Sequence, residues 1–350
     1  MMPFARIFKQ LLFSLAAAML VLGMAEGGLR LARFRYLPAD SPIVVMEDFG
    51  RAQYKDLYRF DPDTLWSLKP GAVYEHRGGE RINSLGFRGP EIAPKKPDGV
   101  YRVVCLGDSS TFGFGVPLDG TWPAQLQKYL AYRMQDRTVE VINAGVVGYT
   151  STQALAHFER DALPLSPDAV ILMLGAVNES FEMNLTDAQR IARARRAAEQ
   201  DTRLRDAVLE LRLSQLLLKA MHAAAQRDRA RLTPRTPPSQ FEKDLGEFAA
   251  LARKHGFLLV VTDPHRKKSV ERDRPLLLEY SRILKDFSQK NKLPFVDVRS
   301  RFQIEADQNI LFRDDYHPRP AGHNLIAQMV TYPVFRHEAA RAGAPALPSR

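Results

Sequence analysis

Four short stretches of this 350-residue chain carry side chains that could do chemistry. Gly107-Asp108-Ser109-Ser110-Thr111-Phe112-Gly113 offers a serine in a tight turn. If such a turn joins a strand to a helix, the hydroxyl lies exposed at the sheet edge. It can then act as a nucleophile, with its own N–H facing the same spot. Asn143-Ala144-Gly145-Val146-Val147-Gly148-Tyr149-Thr150-Ser151 offers Gly148, whose backbone can approach a ligand and donate a second N–H. Gly175-Ala176-Val177-Asn178-Glu179 offers the side-chain amide of Asn178 as a third donor. In Arg313-Asp314-Asp315-Tyr316-His317-Pro318 a carboxylate stands three residues before an imidazole. A turn there brings Asp314 to one ring nitrogen of His317 and leaves the other facing outward. That fixes the tautomer and supports the imidazolium during proton transfer. Asp315 is the reserve acid, and His323 is read as a packing residue of the last helix. Taken alone, each signal has a structural reading: Ser109 as a helix N-cap, Gly148 as a turn glycine, Asn178 as a turn asparagine, His317 as a surface loop residue. Together they describe a nucleophile, oxyanion donors and an acid–base pair.

The elements that would position them follow from hydrophobic pattern. Five apolar, β-branched runs read as strands: Arg102 to Leu106, Val139 to Ala144, Ala169 to Leu174, Phe257 to Thr262 and Pro294 to Val298. Helix-length segments stand between them, among them Trp122 to Arg133, Thr152 to Leu163 and Ser239 to His255. Strand–helix alternation with continuously apolar strands predicts a parallel sheet covered on both faces. Ligands bind such sheets beyond the carboxyl ends of the strands, which is where the four stretches fall.

Composition narrows the function classes. Hydrophobic residues at 45% and charged residues at 26% are globular values and exclude a mostly disordered chain or a polytopic membrane protein. A single cysteine excludes an internal disulfide framework and any multi-cysteine metal site, and no metal or organic cofactor is expected. The net charge of +10 is concentrated in residues 1–35 and 186–236. The body of the chain carries no excess, which argues against a nucleic-acid partner and for an anionic membrane surface. Leu11 to Ala25 is apolar apart from Ser14, and with snorkelling by Lys9 and Arg30 the stretch to Leu29 reaches spanning length. We read residues 1–35 as a signal anchor, with a cleaved signal ending at Gly23-Met24-Ala25, or a buried helix, as alternatives. Residues 36–100 read as an extended lead-in with short strands and a hairpin at His76 to Arg81. Residues 101–335 form the α/β domain, and 336–350 a tail. Residues 186–236 interrupt the alternation as a basic helical insert with Leu204, Val208, Leu211 and Leu218 near one stripe. It is read as a packed helical hairpin, with a membrane-surface helix or a lid over the site as alternatives.

On these motifs residues 101–335 resemble the SGNH, or GDSL-like, hydrolase superfamily. The resemblance rests on Gly107-Asp108-Ser109, the Asn-Ala-Gly-x-x-Gly-x-Thr-Ser run and Asp314 three residues before His317. It implies a flavodoxin-like three-layer α/β fold with a five-stranded parallel sheet. It also implies Ser109 as nucleophile, His317 as base and Asp314 as orienting acid. The oxyanion hole would be built from Ser109, Gly148 and Asn178. The third motif is Gly-x-x-Asn, where the family spaces Gly-x-Asn, so one extra residue could shift the Asn178 amide. The implied activity is hydrolysis of carboxylic esters, small acyl groups on a cell-envelope glycan or a small ester, with acyl transfer or non-catalytic glycan binding as alternatives. Phe112, Phe114 and Tyr149 are candidate walls for the acyl or sugar group. The lead-in, with Arg81-Ile82-Asn83-Ser84-Leu85-Gly86-Phe87-Arg88-Gly89, is similar to that of membrane-anchored bacterial members. This implies an inner-membrane protein with a periplasmic domain, and a structural role for that segment.

Overall fold

The computed structural model describes residues 2–34, 36, 57–74, 80–174, 177–199, 207–208, 210–226 and 232–341. Five strands form one sheet: β1 (Val100–Gly107), β2 (Thr138–Gly145), β3 (Ala169–Met173), β4 (Leu258–Asp263) and β5 (Phe295–Asp297). The order is β5-β4-β3-β1-β2 and every pairing is parallel. This is the flavodoxin-like arrangement, whose strand order reverses at the β1/β3 crevice. The central strands β1, β3 and β4 are buried on both faces because their side chains alternate between two apolar cores. Val104, Leu106, Val170, Leu172, Leu259 and Val261 enter one core. Val103, Cys105, Ile171, Met173 and Val260 enter the other.

Eight longer helices are named here: α1 (Met2–Leu31), α2 (Trp122–Arg133), α3 (Ser151–His157), α4 (Asp187–Glu199), α5 (Arg212–Gln226), α6 (Pro238–His255), α7 (Leu276–Lys290) and α8 (Pro320–Arg341). Trp122, Leu126 and Leu130 of α2 and Ile326, Val330 and Val334 of α8 cover one sheet face. Phe241, Leu245 and Phe248 of α6, with Tyr280 and Leu284 of α7, cover the other. The helix ends are written locally. Thr121 caps α2 ahead of Pro123, and α6 opens on Pro238 and stops at left-handed Gly256. The segment expected as one helix over Thr152 to Leu163 is α-helical only to His157. It continues as a wide turn to Ala162 and a tight turn through Leu163–Leu165, where Pro164 has no N–H to offer.

The lead-in packs into the domain. Leu57, Tyr58, Leu65, Trp66, Leu68, Tyr74 and Phe87 share the core of the α6–α7 face. Tyr58–Asp61 pairs antiparallel with Leu65–Leu68, and Val73–Tyr74 with Glu80–Arg81. The hairpin tip expected at His76 to Gly79 lies outside the described residues. In the insert, α4 buries Ile191 and Ala194. The expected stripe on the other helix is not buried: Val208 and Leu211 are exposed and Leu218 is half-buried, while Leu204 lies outside the described residues. Among the residues of α5 whose burial is described, Gln215 is the buried one.

Candidate active site

Each of the expected site residues follows a strand. Ser109 opens a single helical turn, Ser109–Phe112, directly after β1, and Asp108 caps that turn by accepting the Ser110 N–H at 2.8 Å. The turn is pressed against β2. A Cβ at Gly145 would run into the Phe112 N–H and Thr111, so only glycine lets the serine turn sit this close to the neighbouring strand. Gly148 follows β2 with φ +78°, a left-handed conformation that also favours glycine. Asn178 lies in the short helix Val177–Ser180 after β3; Gly175 and Ala176 lie outside the described residues. His317 and Asp314 stand in the loop between β5 and α8.

The structure brings Ser109, His317 and Asp314 into one relay. The Ser109 Oγ lies 2.9 Å from His317 Nε2, and His317 Nδ1 lies 2.8 Å from Asp314 Oδ2. The other carboxylate oxygen of Asp314 accepts the backbone N–H groups of Tyr316 and His317 at 3.0 and 2.9 Å. Burial pushes the Asp314 carboxyl up, but these hydrogen bonds, the His317 side chain first, outweigh it and hold the group well below the usual carboxylate range. An ionised Asp314 accepts the hydrogen bond of Nδ1–H and keeps the ring proton there, which leaves Nε2 as an acceptor for the serine hydroxyl. Asp315 is outside the relay: its exposed carboxylate is 4.0 Å from Lys267 Nζ. His323 is fully buried and accepts the Trp122 N–H at 3.2 Å, a packing role.

A cleft of about 870 Å³, partly open to solvent, is lined by Ser109, Gly148, Asn178, His317 and aromatic residues that include Tyr58, Phe114, Phe181 and Tyr316. Among the described residues, neither the Ser109 N–H nor the Gly148 N–H donates to a protein acceptor. The Asn178 amide donates one hydrogen to the buried Asp108 carboxylate at 2.9 Å, and an amide nitrogen carries a second. Burial raises the Asp108 carboxyl. Phe114 stands against the His317 ring, centroids 5.1 Å apart. The other two aromatic residues expected as walls are core: Phe112 is buried against Tyr74, and Tyr149 is buried with its hydroxyl on the Trp66 carbonyl at 2.6 Å.

The sequence reading missed the residues that hold this site from a distance. Arg88, only 1% exposed, donates to the carbonyls of Phe112, Gly113 and Val116 at 2.7, 2.8 and 2.7 Å and pairs with Glu80 at 2.5 Å. It staples the serine turn. Removing a buried cation that satisfies several carbonyls leaves them unpaired, which costs about 3–5 kcal/mol. Arg88→Met is therefore expected to lower the denaturation midpoint sharply, whereas exposed Arg81→Met should leave it within the error of a denaturant melt.

Arg235 does the same for the Gly148 loop. Its guanidinium donates to the Gly148 carbonyl at 3.0 Å, to Gln153 Oε1 at 2.8 Å and to the fully buried Asp187 at 2.8 Å. Asp187 also accepts from the Thr150 hydroxyl at 2.9 Å. Trp66 Nε1 donates to the Val147 carbonyl at 3.1 Å from the lead-in side. The only sequence signal for these residues was their position, Arg235 in the proline-rich end of the insert and Asp187 at the start of α4.

His265, on the cleft wall, is stacked on Phe302 at 5.0 Å. Burial, with the nearby His317 and Arg266 adding to it, pushes its imidazole down to about 3. The unfolded chain therefore binds a proton that the folded chain does not, between that value and the ordinary one of about 6.5. Stability is expected to fall as pH drops through this window, by up to about 1.4 kcal/mol per pH unit for the one group. Chemical denaturation of His265→Phe across the same range should show a shallower slope; an unchanged slope would assign the acid sensitivity to other groups.

Comparison with known proteins adds to this geometry. The GDSL-like Lipase/Acylhydrolase family matches residues 105–325. An arylesterase of Vibrio mimicus is 35% identical over 75 residues, 21% of this chain. The match spans about a third of that relative's length, 36%. Among solved structures, the acetylxylan esterase Axe2 of Geobacillus stearothermophilus is similar with 18% identity and a TM-score of 0.45, over 71% of this chain and 97% of its own. A GDSL-like lipase of Bacteroides thetaiotaomicron has 14% identity and a TM-score of 0.41, over 67% and 87%.

Proposed function

The chain belongs to the GDSL-like lipase/acylhydrolase family, and on that premise we propose that it is a serine esterase cleaving carboxylic esters through an acyl-enzyme. The observation that carries the proposal is the hydrogen-bonded relay Ser109–His317–Asp314, with contacts of 2.9 and 2.8 Å. His317 Nε2 takes the proton of the Ser109 hydroxyl as the oxygen attacks the ester carbonyl carbon. The carbonyl π electrons move to oxygen. The resulting oxyanion is held by the N–H groups of Ser109 and Gly148 and by the free amide hydrogen of Asn178. Collapse expels the alcohol, which receives the proton from His317. Water, deprotonated by the same imidazole, then attacks the acyl-serine and releases the acid. Asp314 stays ionised and stabilises the imidazolium through both halves. The aromatic lining of the cleft suits an acyl group or a sugar face.

The proposed substrate is a small acyl group, such as acetyl, on a cell-envelope glycan or a small ester. The proposed location is the bacterial inner membrane with the catalytic domain in the periplasm. Its support is α1, which between Arg6 and Leu31 holds an 18-residue stretch with a mean hydropathy of 1.9 and none of it buried in the protein, the profile of a membrane anchor or a signal sequence. Hydrolysis of acetyl and longer acyl esters by the purified chain, with and without a sugar acceptor, tests the reading. Release of free acid, lost in Ser109→Ala, is expected. Acyl transfer to the sugar in place of free acid would make the protein a transferase, and no turnover by a folded protein would overturn the esterase assignment.

A further inference from the structure

The insert helix α5 presents its apolar side to the outside of the protein. Leu217 and Met221, four residues apart on one stripe, are 63% and 58% exposed, and Leu216 beside them is 42% exposed. Gln215, on the side toward the protein, is buried, and its side-chain oxygen accepts the Tyr36 N–H at 2.9 Å and Arg212 Nη1 at 3.0 Å. A surface helix of a water-soluble domain has the opposite arrangement.

What lies against this face is indicated by where the helix starts. Glu26, in the last part of α1, accepts the Arg212 and Leu213 N–H groups, both at 3.0 Å, on its two carboxylate oxygens. It thereby caps the first turn of α5 from another element. Arg30 pairs with the same carboxylate at 2.7 Å, and Lys219 Nζ lies 5.5 Å over the Phe34 ring. The start of α5 is thus fastened to the end of the one described helix long and apolar enough to cross a membrane. At 1.5 Å per residue, Leu217 stands about 6 Å along α5 from the Glu26 cap and Met221 about 12 Å. Both residues therefore lie close to the end of α1, where an anchored chain leaves the hydrocarbon. The insert is also basic, with twelve Lys and Arg against six acidic residues over 186–236, which suits anionic lipid.

We propose that α5 is a second membrane contact, an interfacial helix docked on the end of α1 with Leu216, Leu217 and Met221 in the lipid surface. The proposal rests on the reading of α1 as an uncleaved span and is independent of the esterase chemistry. It gives the insert a mechanical place. Its base is closed by the pairing of Glu182–Met183 with Thr233–Pro234, directly beside Arg235 on the Gly148 loop. The cleft is thereby tied to the bilayer through the insert as well as through the lead-in.

The test uses the full chain in vesicles of phosphatidylethanolamine and phosphatidylglycerol, with one nitroxide at a time on Leu217→Cys, Met221→Cys, Val21→Cys or Glu242→Cys. The native Cys105 is fully buried and stays unlabelled. Collision with oxygen, which partitions into lipid, is compared with collision with a water-soluble nickel chelate. Oxygen collision exceeding nickel collision several-fold at positions 217 and 221 is expected, as at position 21, with the reverse at 242. Nickel-dominated collision at 217 and 221, with position 21 still oxygen-dominated, would overturn the proposal and leave the span intact. Spin–spin broadening at 217 would show a second copy covering the face and overturn it as well. Nickel-dominated collision at 21 would overturn the span reading and the proposal with it.

Discussion

Asp314→Asn is expected to lower kcat by about 10⁴-fold with little change in KM. The carboxylate has two tasks in this loop. One oxygen accepts the hydrogen bond of the His317 Nδ1–H, 2.8 Å from the nitrogen, and the other accepts two backbone N–H groups that shape the turn. An asparagine side chain preserves the turn if its oxygen keeps the backbone pair. Its NH₂ group then points at Nδ1 and forces the ring proton onto Nε2. The imidazole would then present a donor to Ser109, the wrong tautomer for a base. His317→Ala should cost at least as much, because the base itself is gone. The double variant should be no worse than the worse single one, since the three groups act as a unit. Steady-state kinetics with a short-chain ester measures all three. A loss below about tenfold in Asp314→Asn would mean that this carboxylate does not set the tautomer.

Arg235→Met is expected to reduce kcat by about 10²-fold without touching the relay, the cost of misplacing one oxyanion donor. Gly148 has a left-handed φ of +78°, and its carbonyl is held by Arg235 at 3.0 Å. With the carbonyl released, the 148–149 peptide is no longer pinned, and the loop can relax through the φ and ψ of Gly148 and shift the Gly148 N–H, which belongs to the 147–148 peptide, out of the cleft. The same substitution strands the Asp187 carboxylate, fully buried, beside Arg190 alone. Stability should therefore fall too, by about 3–5 kcal/mol for a broken buried pair. Arg235→Met combined with Asp187→Asn relieves the bare charge but not the loose carbonyl. Stability should recover in part while kcat stays low. Recovery of both together would reduce Arg235 to a folding residue. A KM change at constant kcat would place the loop in substrate binding and not in oxyanion stabilisation.

The parts of this molecule that were legible in its sequence are those with local causes. The five strands are runs of apolar and β-branched residues, buried on both faces in the central β1, β3 and β4, so the pattern along each run is enough to find it. β1 differs from its expected extent by two residues at the start and one at the end. The serine turn and the Gly148 turn are short and follow their strands directly, and the Asp314–His317 loop is itself short, although the helix Val298–Gln303 and a turn at Gln308–Ile310 separate it from β5. Their convergence at one sheet edge is a consequence of parallel topology. Asn178 was the uncertain case because of its extra residue, and the structure has its amide on Asp108, in the same cleft as Ser109 and Gly148. What was not legible is long-range support. Arg88 acts on carbonyls more than twenty positions away, Arg235 on Gly148 across eighty-seven positions, Trp66 on Val147 across eighty-one. A single arginine or tryptophan carries no period or spacing to mark it. Aromatic residues next to a motif are a poor guide for the same reason. Of Phe112, Phe114 and Tyr149, only Phe114 lines the cleft, because the other two point into the core beneath the turn. The stripe expected on the insert failed in a more informative way. Among its described residues Val208 and Leu211 face outward from the protein and Leu218 is half-buried.

An activated Ser109 is expected to react covalently with a serine-directed fluorophosphonate. Intact mass of the full-length protein in detergent should show one adduct. The adduct should be absent in Ser109→Ala and form far more slowly in His317→Ala. A folded protein that forms no adduct, or one that labels equally well in Ser109→Ala, would show that Ser109 is not an activated nucleophile.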